Sequence, residues 1–317
     1  MTSIGKDGVP HSVNEPAIKI SVIIPAYNAA QFVRTAIESC LSQTYAPHEI
    51  VVVDDASTDG TAALAESFPL PVRVIRLAQN MGVAAARNRG IQESTGNWIA
   101  FLDADDWFLP EKLERQRLCI LENERAVLVY AGWRIISVDG VESLGRFKPP
   151  SDLLPMLRYR CNLPLLTILV RRDVFDSVGG FNPAYRRCQD WDLWLRIAGR
   201  YSVESFAGLP EPLAVYRRVP GSLSSSAMGY FLQRIPIIKS SCLFGTSGLR
   251  RFLWRQRILA YNYYDTAETL RDEGSLSYLP FMLMSFVIWP FPCIAMPNRW
   301  KVTIAMAMQR CRLRLSR

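Results

Sequence analysis

Ile50-Val51-Val52-Val53 is apolar at four successive positions and runs straight into Asp54-Asp55. A strand with no polar alternation is buried on both faces, so it belongs in a sheet covered by helices on each side. The same arrangement recurs where Trp98–Leu102 runs into Asp103-Ala104-Asp105-Asp106. Lys19–Pro25, Glu49–Val53, Val72–Leu77 and Trp98–Leu102 read as strands. Ala29–Gln43, Thr61–Ser67, Val83–Glu93 and Glu111–Asn123 read as helices, the last opened by Pro110. Four strand–helix alternations imply an α/β fold built on a doubly wound, mostly parallel sheet with right-handed crossovers.

The middle of the chain is less regular. Ala126–Ile136, Leu163–Val170 and Pro212–Arg217 read as strands, Asp190–Gly199 as a short helix, and Asp139–Ser151 as a mobile loop. After Pro220-Gly221 the character changes to basic helices at Met228–Ser241 and Leu249–Asp272. The expected division is a loose polar tail over residues 1–17, without the apolar core of a signal peptide, a main domain over 18–220 and a helical, basic extension over 221–317.

In an open α/β sheet, ligands bind outside the carboxyl ends of the strands, so both aspartate clusters belong on the binding edge. Packed like charges need a cation or hydrogen-bond donors to offset them. An Asp-x-Asp turn suits a hard divalent ion such as Mg²⁺, which takes one or two carboxylates plus substrate phosphates. Aspartates after a strand also form turns and caps, a sufficient account of Asp54 and Asp59 but not of three carboxylates within Asp103–Asp106. Asp55–Gly60 followed by Glu66 has nearly the spacing of a calcium loop, but a strand enters it where a helix is needed.

Other chemistries are poorly supplied. The chain has only two histidines, His11 and His48, which argues against a Ser-His-Asp triad, a Cys-His dyad or a histidine metal site. Seven cysteines, none in a CxxC pair, argue against a disulfide framework and for a reducing compartment. Neither GxGxxG nor GxxxxGK[ST] occurs, which disfavours a dinucleotide-binding dehydrogenase or a P-loop kinase. If the chain is an enzyme, its acid–base chemistry is expected to rest on carboxylates.

Five ordered segments carry a specific resemblance: Ser21-Val22-Ile23-Ile24-Pro25-Ala26-Tyr27-Asn28, Val52–Asp59, Asn80-Met81-Gly82, Ala86-Arg87-Asn88-Arg89-Gly90 and Phe101–Asp106. Together they resemble the family 2 glycosyltransferases of the GT-A fold over residues 18–220. The resemblance implies that Pro25 and Tyr27 line the nucleotide base pocket, that Asp55 accepts a hydrogen bond from base or ribose, and that Arg87 and Asn88 face the nucleotide. It makes Asp103 and Asp105 the family's DxD, with Asp105 or Asp106 holding Mg²⁺ or Mn²⁺ against the diphosphate. Tyr27 and Pro25 could instead simply end and pack a strand, and Arg87 could be a surface charge.

Gln189-Asp190-Trp191-Asp192-Leu193-Trp194 is similar to the family's acceptor region, where an Asp acts as general base. Asp190 takes that position, with Gln189 replacing the usual Glu. An acceptor hydroxyl is a weak nucleophile, so a positioned carboxylate must take its proton as the bond forms. Asp190 could also cap a helix beginning at Trp191. Trp191 and Trp194 are candidates to support an acceptor sugar, with one of them expected in the core. Tyr216–Ser222 is similar to a family stretch that commonly has His where Val219 stands, which shifts phosphate contact to Arg217 or Arg218.

The net charge of +8 is concentrated at the end of the chain, since residues 221–317 hold 13 Lys+Arg and 4 Asp+Glu. Ser275–Pro297 has no charge, and its prolines at 280, 290, 292 and 297 make one straight membrane span doubtful. Followed by the basic stretch Asn298–Arg317, it reads as a membrane-surface segment (276–317) or as a docking helix with a solvated basic face. No nucleic-acid motif accompanies the charge.

The expected function is an inverting, metal-dependent glycosyltransferase. It would pass a sugar from a nucleotide-diphosphate sugar to a hydroxyl of a saccharide or lipid-linked saccharide in polysaccharide biosynthesis, at the inner, cytoplasmic face of the cytoplasmic membrane. The alternatives are a sugar-nucleotide or saccharide-binding protein of the same fold with weak catalysis, and a nucleotidyltransferase, for which the Gly-rich basic signature near the first strand is missing.

Overall fold

A computed structural model describes residues 17–219, 227–275, 277–297, 299–300 and 303. Four strands form the parallel half of one sheet: β1 (Ile20–Ala26), β2 (Glu49–Asp54), β3 (Val72–Arg76) and β4 (Trp98–Phe101), in the order β3-β2-β1-β4. Helices α1 (Val33–Leu41), α2 (Thr61–Glu66) and α3 (Val83–Glu93) connect them. Residues along β1 alternate in direction. Val22 and Ile24 pack with Val33, Ile37 and Cys40 of α1, whereas Ile23 packs with Phe101, Phe175 and Trp191. Side chains on a strand point to opposite faces with period two, so a continuously apolar strand feeds two cores at once.

Beyond β4 the sheet becomes mixed. The short β5 (Trp107–Phe108) and α4 (Lys112–Glu122) are followed by β6 (Leu128–Ile136), β7 (Glu142–Leu144), α5 (Pro150–Leu157), β8 (Ile168–Arg171), α6 (Asp173–Val178), α7 (Gln189–Arg200) and β9 (Phe206–Arg217). Strand β8 runs antiparallel to both β4 and β6, and β9 is parallel to β6 and antiparallel to β5. The expected parallel, doubly wound sheet is thus the first half of the molecule, with antiparallel strands completing it.

Three local readings change. The loop expected at Asp139–Ser151 contains β7, paired with β6 at Ser143 opposite Ile135, and the first turn of α5, which begins at Pro150. The strand expected at Leu163–Val170 begins only at Ile168, because Leu165–Thr167 forms a 3₁₀ turn after Pro164. Strand β9 starts six residues earlier than Pro212. Pro210 and Pro212 hid this part of the strand, which is accommodated by a register shift at Gly132. A Cβ at Gly132 would lie 2.6 Å from the Pro210 carbonyl oxygen, so glycine permits that approach.

Glu49 ties the parallel half together at its amino end. Its carboxylate accepts from Ser21 Oγ at 2.7 Å, Thr95 Oγ1 at 2.9 Å, the Thr95 backbone N–H and Arg73 Nε at 2.9 Å. Burial alone would push the carboxyl up, but these donors together bring it down to about 2. A carboxyl lowered by folding stabilises above its unfolded range near 4.5, and that stability drains away as pH falls from there to about 2. Glu49→Gln should cost roughly 2–3 kcal/mol at neutral pH. Urea unfolding at pH 7 and pH 3 checks this: the difference between parent and variant should shrink at the lower pH.

The C-terminal part holds α8 (Ala227–Lys239), α9 (Gly248–Asp272) and α10 (Tyr278–Ile288). The expected boundary at 220 lies in 220–226, outside the described residues, as do residues 1–16 and nearly all of 298–317. The extension grips the main domain through Ser241 Oγ, which donates to Asp192 Oδ1 at 2.6 Å, and Arg158, which donates to the Phe244 carbonyl at 2.9 Å. The uncharged segment is a docked helix on one side. Tyr278, Met282 and Ser285 are buried, and the Phe281 ring meets those of Phe231 and Tyr263. Among the described residues no helix is long and apolar enough to cross a membrane.

Candidate active site

The carboxyl ends of β1, β2 and β4 converge on one edge, joined by the Asp55 N–H donating to the Ala26 carbonyl and the Leu102 N–H donating to the Ile23 carbonyl. Pro25 is buried within β1, and Tyr27 just beyond it is 53% exposed, so only the tyrosine presents its ring. Asp55 is buried, and its two oxygens accept the N–H groups of Met81 at 2.7 Å and Gly82 at 2.8 Å. It shapes the loop that starts α3, a role the expected direct contact to base or ribose did not include. The neighbouring loop is equally self-contained. Asp59 accepts from the Ala30 and Thr61 N–H groups, and Asn28 Oδ1 from the Thr58 N–H.

From α3, Arg87 reaches Asp103 with Nη2 2.6 Å from Oδ1. The guanidinium is buried, lies 5.4 Å from the Phe181 ring centroid and has a buried Nε with no partner. It is therefore no surface charge. Asn88, expected to face the nucleotide, has a structural task. Its amide clamps Phe181, accepting that residue's N–H at 2.8 Å and donating to its carbonyl at 2.7 Å, so both ends of the amide are engaged by the protein backbone. The clamp requires glycine before it, since a Cβ at Gly180 would come within 2.3 Å of Asn88 Oδ1.

The DxD turn sorts its three carboxylates. Asp103 is held by Arg87. Asp106, expected as an alternative metal ligand, is almost fully buried, and its Oδ1 accepts the Arg217 backbone N–H at 2.8 Å, fastening the end of β9 to the turn. Burial, then the charges of Asp103 and Asp105, push the Asp106 carboxyl well above its ordinary range. Asp105 is half-buried, and burial followed by the Asp103 charge pushes it up to about 6. Such a carboxylate is poorly compensated by the protein alone, which suits a cation-binding role. No group of three or more His, Cys, Asp or Glu able to hold a metal occurs among the described residues. A metal here would take its remaining ligands from a diphosphate and water, the habit of Mg²⁺ and its relatives. Arg217 stands beside this turn, its guanidinium 4.9 Å from the Trp107 ring and 5.2 Å from the Phe32 ring.

Asp190 enters from α7. The helix begins at Gln189 after Cys188, which has φ 60°, so Asp190 lies inside the first turn and is not the capping residue. Its Oδ1 accepts the Trp191 N–H at 2.8 Å and its Oδ2 faces Cys161 Sγ at 3.5 Å. Burial raises its pKa, the Arg87 charge opposes that, and the Asp103 charge adds to it. The two carboxylates and the arginine therefore share one electrostatic neighbourhood. Trp191 and Trp194 correct a second expectation. Both are fully buried, donating their indole N–H groups to the Leu157 and Leu163 carbonyls at 2.6 and 3.1 Å. A buried indole needs its N–H satisfied, and these are core residues, not an acceptor platform.

Residues not singled out in the sequence complete the surroundings: Cys161, and Tyr230 of α8. The Tyr230 phenol is raised by burial and then by the charges of Cys188, Asp190 and Cys161. Its ring lies 5.6 Å from the Arg234 guanidinium. Tyr230 carried no signal because its helix lies outside every recognised motif.

This architecture has counterparts among known proteins. The structure of S. aureus TarS 1–349 in complex with UDP-GlcNAc superposes with a TM-score of 0.62 at 19% identity, covering 89% of this chain and 82% of that one. The mannosyltransferase PcManGT from Pyrobaculum calidifontis in complex with GDP-Man and Mn²⁺ gives 0.54 at 18%, covering 86% and 81%. These likenesses identify the fold as GT-A. An Escherichia coli protein described as UDP-Glc:alpha-D-GlcNAc-diphosphoundecaprenol beta-1,3-glucosyltransferase is 30% identical over 70% of this chain and 86% of its own length. An uncharacterized glycosyltransferase of Rickettsia felis is 36% identical over 56% of this chain, and the match spans only 31% of that longer protein. Residues 21–191 match the model of glycosyl transferase family 2. That stretch runs from β1 through the DxD turn to the first turn of α7, more than half of the sequence, and by it the chain belongs to glycosyl transferase family 2.

Proposed function

We propose that the protein is an inverting, metal-dependent glycosyltransferase that moves a sugar from a nucleotide-diphosphate sugar to a hydroxyl of a saccharide or lipid-linked saccharide. The observation that carries this reading is Arg87, which binds Asp103 on the donor edge while its charge acts on Asp190. This supports a reading in which donor and acceptor chemistry share one site. Tyr27 is the exposed ring for the base, and Asp55 and Asn88 act by holding the loops around it. Asp103 and Asp105 would hold Mg²⁺ or Mn²⁺ at the diphosphate, and Arg217 adds a fixed positive charge beside the turn. The ion, when bound, stabilises the charge gathering on the leaving diphosphate. Asp190 takes the proton from the acceptor hydroxyl, and a single displacement inverts the anomeric centre.

The name of the E. coli relative, with a lipid-diphosphate sugar as acceptor, supports a lipid-linked acceptor here and a peripheral position at the cytoplasmic membrane face. The test is release of nucleoside diphosphate from a panel of nucleotide-sugars, with and without Mn²⁺ and a lipid-linked saccharide. Release that needs Mn²⁺ and rises with acceptor is expected. Binding of nucleotide-sugar without release under any condition would leave only a binding protein.

A further inference from the structure

The first two turns of α9 carry an apolar ridge that no described residue covers. Leu249, Phe252 and Leu253 are 73%, 56% and 40% exposed. At 100° per residue they fall on one face, with Arg250 and Arg257 along one flank, Arg255 along the other and Arg251 turned farther round toward the main domain. Farther along the same face Ala260 is fully buried, in the part of α9 against which α10 packs. Helix α10 ends at Ile288, where Trp289 meets the Arg257 guanidinium at 5.6 Å. Among the described residues the cover therefore stops where the ridge begins. Beside Arg251 opens a cavity of about 370 Å³ that is also lined by Arg200, Ser240 and Phe244.

Charge is segregated along the helix. All four acidic residues of 221–317, Asp265, Glu268, Asp272 and Glu273, lie in the last third of α9 or just beyond it. The ridge end holds arginines only, at the positive end of the helix dipole. An occupant must be apolar where it meets the ridge and anionic on both sides. A second copy of this surface would bring arginines against arginines. Residues 304–317 carry four arginines and no acid, so they offer the flanks no acidic side chain. An anionic bilayer matches both requirements, with acyl chains for the ridge and phosphate headgroups for the flanks and the basic cavity.

We infer that the N-terminal half of α9, residues 248–257, is the surface by which this protein lies on an anionic membrane. This rests on the proposed lipid-linked acceptor only for its purpose; the physical claim stands apart from it. It also moves the contact away from Phe281, which is committed to packing against Phe231 and Tyr263.

The full chain is floated with vesicles of phosphatidylcholine alone and of phosphatidylcholine with one quarter phosphatidylglycerol. The parent should prefer the anionic vesicles and lose binding as salt rises. The triple variant Arg250→Gln, Arg251→Gln, Arg255→Gln should bind the anionic vesicles about a hundredfold more weakly, at roughly fivefold per arginine. The triple variant Leu249→Gln, Phe252→Gln, Leu253→Gln should lose at least about tenfold even at low salt. Nucleoside diphosphate affinity should be unchanged in both, which shows that they fold. Equal parental binding to neutral and anionic vesicles, or variants that float like the parent, overturns the inference. So does a ridge variant whose only change is conversion of a dimer to a monomer in sedimentation. Vesicle binding without sugar transfer would sink the proposed enzyme and leave this surface standing. Transfer to a soluble acceptor without vesicle binding would do the reverse.

Discussion

Asp190→Asn is expected to slow turnover by roughly 10²–10⁴-fold, the usual worth of a positioned general base. Nucleotide and metal affinity should stay close to those of the parent, because in the proposed mechanism Asp190 serves the acceptor hydroxyl and not the diphosphate. The asparagine keeps the size and the contact with the Trp191 N–H but has no lone pair basic enough to take a hydroxyl proton. Burial raises the Asp190 carboxyl, which makes it a better proton acceptor, while the nearby Arg87 charge favours the ionised form. The base must be deprotonated to work. The parent's rate should therefore fall as pH drops through a value above the ordinary carboxylate range, and be flat above it. The variant should lose that acid limb. Asp192 cannot stand in, because Oδ2 is bound to Arg196 at 3.0 Å and Oδ1 accepts from Ser241 at 2.6 Å. Near-parental turnover in a folded Asp190→Asn protein would dismiss it as the base.

Replacing both Asp103 and Asp105 with asparagine should remove divalent-dependent nucleotide diphosphate binding. The loss should reach at least about 10²-fold, the upper end of what removing a mere supporting partner of a ligand costs. Calorimetric titration of nucleoside diphosphate with and without Mn²⁺ measures it, and unchanged Mn²⁺-dependent affinity would show that the metal lies elsewhere. The single variant Asp105→Asn has a second signature with the opposite sign. With its carboxyl pushed up to about 6 by burial and by Asp103, ionised Asp105 destabilises the empty protein at neutral pH. A raised carboxyl lowers stability as pH climbs from its unfolded value of 3.8 through about 6. Asp105→Asn should therefore raise stability by about 1–2 kcal/mol at pH 7 while abolishing the metal effect. A purely structural aspartate would lose stability on substitution.

Much of the donor edge was legible from local pattern. The runs Ile50–Val53 and Trp98–Leu102 could be buried only as inner strands of a covered sheet, and the aspartates after them had to emerge at its carboxyl edge. The antiparallel half was harder to read. Strand β8 is four residues long, β5 is two, and Pro210 and Pro212 interrupt the pattern of β9. Short or interrupted strands carry too few alternating positions to be told from loops.

Sequence alone determined which residue types stand at the sheet edge, that carboxylates dominate there, and that positive charge gathers at the far end of the chain. These follow from periodicity, which is local, and from composition, which needs no fold. Tertiary structure decided what each polar atom is free to do. Asp55, Asp106 and Asn88 stand among the motif residues, yet folding commits them to the backbone groups of Met81, Gly82, Arg217 and Phe181. Trp191 and Trp194 look alike on paper as sugar platforms, and both vanish into the core. Asp105 remains poorly compensated, Asp190 feels the Arg87 charge and faces Cys161, and among the described residues nothing covers the ridge of α9. The reason is physical. A buried amide or indole N–H must find an acceptor, and the acceptor is whichever group the packing of distant segments brings within about 3 Å.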